Sequence, residues 1–71
     1  MEKYTIEAND NGDFYLLING VLSRVGPMPY IGDHLTHIAT RNRLDVSECY
    51  SESHILSVLL ANNIDVDVGD W

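Results

Sequence analysis

The sequence predicts an α+β domain: an antiparallel three-stranded meander, with a fourth short C-terminal edge strand, packed against two helices. Three observations lead there. Residues 1–26 alternate apolar runs with turn-forming clusters, the pattern of consecutive antiparallel strands. From residue 33 the apolar residues recur at spacings of three and four, as on helices. The tail Ile64-Asp65-Val66-Asp67-Val68 then returns to strict alternation. A chain of 71 residues is one domain, residues 1–71, and no linker, repeat or low-complexity stretch divides it.

Taken in order, Tyr4-Thr5-Ile6-Glu7-Ala8 alternates like a half-buried strand, and Asn9-Asp10-Asn11-Gly12-Asp13 gathers turn formers. Phe14 to Ile18 is aromatic and aliphatic throughout. Asn19-Gly20 is the strongest short hairpin signal, with a type I′ turn expected, and Val21 to Val25 returns as the third strand. Gly26-Pro27-Met28-Pro29 should end the sheet, because proline cannot donate to a ladder. A two-residue turn sets the register. It pairs Ile18 with Val21, Leu16 with Ser23 and Phe14 with Val25 on one side, joined by Tyr4 and Ile6 if Ala8 meets Phe14. Tyr15 opposite Arg24, and Leu17 opposite Leu22, fall on the other side. That second face is not cleanly polar, so Tyr15, Leu17 and Leu22 are expected to meet a helix, a second copy or a partner.

Asp33 can cap a helix near 33–43, followed by Leu35, Ile38 and Ala39 at helical spacing. Arg41 and Arg43 complement the negative end of its dipole. Ser51 can cap a second helix with Glu52 in its first turn, and Ile55, Leu56, Val58, Leu59 and Leu60 make that helix the expected main packing element. Asn62-Asn63 is a C-terminal stop. The tail strand places its aspartates toward solvent, which discourages unwanted edge pairing.

Charge is the strongest guide to function. The formal charge is −7. Residues 1–43 carry five acids and all four bases; residues 44–71 carry Asp45, Glu48, Glu52, Asp65, Asp67 and Asp70 with no base. Nucleic-acid binding needs Lys and Arg against phosphate, so no direct nucleic acid is expected, and anionic membranes are disfavoured likewise. No stretch approaches the roughly 20 apolar residues of a membrane span. The N-terminus lacks a basic region followed by an apolar run, so a cytoplasmic location is expected. Cys49 is the only cysteine, which fits a reducing compartment and excludes an internal disulfide. A domain this small buries only about 60% of its unfolded surface, which makes a homodimer an expected stabiliser.

Catalytic and cofactor chemistry find little support. Aligning Gly12 with the sixth position of a calcium loop puts Ile18 where a bidentate carboxylate is needed, so residues 9–13 read as a hairpin turn. His34, His37, His54 and Cys49 are the conventional zinc ligands present. His34 and His37 share adjacent turns, but no catalytic glutamate or Cys-x-x-Cys pair accompanies them, and both are expected on the solvated side. No nucleophile elbow, Gly-x-Gly-x-x-Gly or phosphate loop is present, so no enzyme, cofactor or metal is expected.

Asp65 and Asp67 lie roughly 6.6 Å apart on an extended strand, a spacing of the same order as neighbouring phosphates. Asp70 and the terminal carboxylate can extend that row, and Glu48 and Glu52 can enlarge it. Small size, acidity and absence of catalytic motifs resemble the inhibitors that bacteriophages encode against host defence, such as anti-CRISPR and anti-restriction proteins. The resemblance is one of character and carries no motif. It implies stoichiometric binding to a basic, nucleic-acid-handling protein in the host cytoplasm, with the acidic surface acting as a nucleic-acid mimic. Asp65, Asp67, Asp70, Glu48 and Glu52 would supply charge, and Tyr15, Leu17 and Leu22 an apolar contact. Two alternatives stand beside it: a structural or regulatory homodimer, and a metal-binding accessory built on the histidines and Cys49.

Overall fold

Asn19 and Gly20 sit at φ of 54° and 81°, both in the left-handed region that a type I′ hairpin requires. The Asn19 side-chain oxygen accepts from the Lys3 N–H at 2.9 Å, and the Asn19 N–H donates to the Lys3 carbonyl at 2.8 Å. One turn thus joins two strands and grips the start of a third. The computed structural model describes residues 1–27 and 31–69. It runs β1 (Lys3–Ala8), β2 (Asp13–Ile18), β3 (Val21–Pro27), α1 (Ile31–Arg41), α2 (Glu52–Ala61) and β4 (Asp65–Asp67). The strands form an open mixed sheet in the order β3-β2-β1-β4, with β4 parallel to β1 and the other pairs antiparallel.

Strands β1 and β2 pair in the expected register, Ala8 with Phe14 and Tyr4 with Ile18. Strands β2 and β3 do so only next to the turn. Ile18 meets Val21 and Leu17 meets Leu22, but a bulge follows, after which Leu16 meets Arg24, Tyr15 meets Val25 and Phe14 meets Gly26. The expected pairs of Leu16 with Ser23, Tyr15 with Arg24 and Phe14 with Val25 are therefore wrong by one residue. Ser23 is the extra residue, and it exchanges the faces of everything beyond it. Val25 leaves the core side and is 53% exposed, while Arg24 turns toward α1 and its Nη1 lies 3.5 Å from the Asp33 carbonyl. Strand β3 also runs two residues further than expected. Pro27 pairs with Asp13, which an edge position tolerates because no outward N–H is needed.

The core lies on one side of the sheet, where Tyr4, Ile6, Phe14 and Leu16 pack under Ile31, Leu35, Ile38, Ala39 and Leu59. Helix α1 begins two residues earlier than expected, and Asp33 sits inside its first turn rather than capping it. The apolar stripe starts at Ile31 and continues at i+4 and i+7 through Leu35 and Ile38, which fixes the phase. Helix α1, and not α2, is the main packing element. In α2 only Leu59 is fully buried, Ile55 and Leu56 are partly so, and Leu60 is exposed, because α2 lies against α1 and β4 at the side of the sheet.

The N-cap of α2 follows the sequence chemistry, unlike that of α1. The Ser51 hydroxyl accepts from the His54 N–H at 3.1 Å and opens α2. Both helices end alike. Leu44 N–H reaches the Ala39 carbonyl and Arg43 N–H reaches that of Thr40; Ile64 and Asn63 repeat the pattern on Leu59 and Leu60. These paired bonds make two Schellman ends, with Arg43 at φ 59° and Asn63 at φ 63° in the left-handed position.

Candidate protein-binding face

The sheet face opposite the helices gathers most of the residues singled out for binding. Successive residues of a strand point to opposite sides, so burying Tyr4, Ile6, Phe14 and Leu16 turns Lys3, Thr5, Glu7, Tyr15 and Leu17 outward. Strand pairing then builds rows across the sheet. Asp67, Thr5, Leu17 and Leu22 form one, Glu7, Tyr15 and Val25 a second, and Asp65 stands beside Lys3. Leu22 is 56% exposed and Val25 comparably so, while Tyr15 and Leu17 are half-buried. No helix among the described residues covers this face, because α1 and α2 are committed to the other side, so of the three occupants expected there the helix is ruled out. The Tyr15 hydroxyl accepts from Asn9 Nδ2 at 2.6 Å, which holds the ring against the hairpin loop.

Asp65 and Asp67 are exposed and flank Val66, which turns inward beside Tyr4. The expected carboxylate row therefore exists, and it lies at the β4 edge of the same face as the apolar residues. Asp67 Oδ1 also accepts from the Gly69 N–H at 3.1 Å, which fixes that side chain. Glu52 is elsewhere. It opens α2 with its Cγ only 3.4 Å from where a Cβ on Gly32 would stand, so it belongs to the helix layer. Glu48 is exposed in the connection before α2. Asp70 lies outside the described residues.

Among the described residues the one ion pair joins Arg41 to Glu2 at 2.6 Å. The Tyr4 hydroxyl donates to the other Glu2 oxygen at 2.7 Å and accepts from Asn42 Nδ2 at 3.1 Å, so the start of β1 is tied to the end of α1. The Tyr4 hydrogen bond, then Arg41, holds the Glu2 carboxyl below its ordinary value. Asp65 and Asp67 form no ion pair with another described residue.

The histidines are arranged differently from the expectation. His34 is 1% exposed, not solvated, because it shares the stripe of Ile31, Leu35 and Ile38 at i+3. That spacing was visible in the sequence and was hidden only by starting the helix at Asp33. A carbonyl can only accept, so His34 Nε2 donates to the Phe14 carbonyl at 3.3 Å, and its Nδ1 is buried without a partner. Burial pushes its pKa down. His37 is half-buried and is pushed down too, by burial first and then by the Arg24 and Arg41 cations. No group of three or more metal-ligating side chains lies together among the described residues. The loop at residues 9–13 is a hairpin turn: the Asn9 side-chain oxygen accepts from the Asn11 and Asp13 N–H groups at 2.9 Å each. Tyr50, which sequence reasoning passed over, is 88% exposed with its ring 4.6 Å from that of His54. No helix among the described residues is long and apolar enough to cross a membrane. Comparison of the chain with protein-family models, with curated proteins and with solved structures found no match.

Proposed function

We propose that this chain is a stoichiometric protein-binding module that docks a basic, nucleic-acid-handling partner on the outer face of its sheet. One observation carries the reading: exposed Leu22 and Val25, with half-buried Tyr15 and Leu17, share a helix-free face with the unpaired carboxylates of Asp65 and Asp67. An apolar centre beside an acidic margin suits a partner that offers apolar contact and Lys or Arg together. The acidic margin takes the place of nucleic acid on such a partner, in the manner of a phage-encoded inhibitor acting in the host cytoplasm. The role is that of a binder, not of an enzyme.

The test begins with affinity capture from host lysate and mass spectrometry to identify the partner. Displacement of a labelled duplex from that partner then measures inhibition. Asp65→Asn with Asp67→Asn removes two charges, and Asn keeps the Oδ1 that accepts from Gly69. This pair is expected to slow association, most at low salt, because exposed charges act mainly through encounter. Glu48→Gln with Glu52→Gln matches the charge loss outside the strands and should act less. Leu17→Glu should abolish binding while the fold persists. Equal effects from the two charge pairs would reduce the case to net charge, and no effect from either would end the mimicry reading.

A further inference from the structure

The two edges of the sheet differ in what they can pair with. Strand β4 is short and carries Asp65 and Asp67, carboxylates that keep a second acidic strand away. Strand β3 is the other edge, seven residues long and hydrogen-bonded to β2 on one side only. Three of its exposed side chains are apolar, Val21 at 69% with Leu22 and Val25, and the fourth, Ser23, is uncharged. Residues 14–32 contain Arg24 and no acid, in a chain of charge −7.

We propose that β3 is a self-association edge, where two copies pair antiparallel about a two-fold axis into one continuous eight-stranded sheet. Charge selects the occupant. Two copies of an acidic chain repel wherever their carboxylates meet. Strand β3 is the sheet edge where they do not meet. A basic partner gains nothing electrostatically from an edge whose one charged side chain is Arg24, whereas β4 suits it. An edge strand also supplies unpaired main-chain donors and acceptors, and antiparallel pairing about a two-fold is self-complementary. The pairing brings Val21, Leu22 and Val25 of the two copies together and joins their Leu17 and Tyr15 strips into one apolar centre. Pro27 and the bulge at Ser23 shorten the usable edge, so the dimer is reversible and depends on concentration. It leaves Asp65 and Asp67 of each copy at opposite ends of the joined sheet. The proposal does not rest on the basic-partner reading, and the two fail separately: one is read in the absence of any partner.

Sedimentation of the full chain over a concentration series tests it. The parent should move from one chain mass to two as concentration rises. Val25→Lys places a charge on an already exposed edge position, so its circular dichroism should match the parent while it stays at one chain mass. Asp65→Asn with Asp67→Asn, at the far edge, should dimerise at least as well as the parent. Amide hydrogen exchange of the unmodified chain gives a reading that needs no variant: protection within residues 21–26 should grow with concentration. One chain mass throughout the series, a dimer that Val25→Lys forms equally well, or exchange in β3 that ignores concentration would each overturn the proposal.

Discussion

Replacing Gly20 by alanine of either hand tests the hairpin on which the outer face depends. Gly20 is at φ 81°, and an L-alanine Cβ built there meets no atom within 4 Å. The cost is therefore conformational, with no clash to confuse it. Holding an L-residue in the left-handed region costs roughly 1–2 kcal/mol. Losing glycine's freedom in the unfolded chain returns about 0.4–1 kcal/mol. L-alanine should thus destabilise by about 1 kcal/mol, which lowers Tm by about 4–8 °C in a domain of this size. D-alanine prefers positive φ, so the penalty disappears and the unfolded-state gain of about 0.4–1 kcal/mol remains. A chain this short can be synthesised with either residue, and thermal unfolding by circular dichroism reads both. Gly69 provides a comparison. It is also at positive φ, 63°, with the Ile6 carbonyl 3.7 Å from an added Cβ. It lies beyond β4, though, so strain there can be relieved by fraying the tail, and L-alanine should cost less than at Gly20. Equal destabilisation by the two enantiomers at Gly20 would refute the turn geometry and the register built on it.

Two further outcomes follow from groups held in unusual states. His34 is kept neutral by burial, so the unfolded chain takes up its proton near the ordinary value of 6.5 and the folded chain only at lower pH. Its contribution to stability is full above that value and is lost as pH falls below it. His34→Gln should flatten the slope of unfolding free energy in that window, more than His37→Gln does. Glu2 and Asp45 are held below 4.5 and 3.8, contribute above those values, and lose their contribution only at lower pH still, so they do not confuse the result. An unchanged slope in His34→Gln would show that the imidazole is not buried neutral. Arg43 closes α1 at φ 59°, where glycine fits without strain. Arg43→Gly and Arg43→Ala lose the same charge, so urea unfolding should place the glycine variant about 1 kcal/mol above the alanine variant, from the left-handed penalty less glycine's unfolded-state freedom. Equal stabilities would mean that the helix ends differently.

What the sequence made legible was local, and what it hid was the consequence of one inserted residue. Asn19-Gly20, Ser51 and Asn62-Asn63 act within a few residues of themselves, so their chemistry names the turn, the cap and the stop directly. The bulge has no such signature. Nothing about Leu22-Ser23-Arg24 announces an extra residue, because a bulge answers to the twist of the whole sheet. Yet it decides the surface: without it Val25 would face the helices beside Phe14, and Arg24 would interrupt the outer face beside Tyr15. With it, Val25 joins Tyr15, and the strip from Leu17 through Leu22 gains an apolar neighbour instead of a cation. Periodicity likewise showed that the tail alternates but not which strand it would join. Only the return of the chain after α2 to the Lys3 end of β1 sets Asp65 and Asp67 parallel to that strand, Asp65 beside Lys3 and Asp67 in the row of Leu17. Acids and apolar residues separated by some 40 positions in the chain thus form one face, because the sheet order β3-β2-β1-β4 lays them side by side. The same order sends the strand without a carboxylate to one edge and the aspartates to the other. Apolar and acidic surface therefore occupy opposite edges of one small sheet.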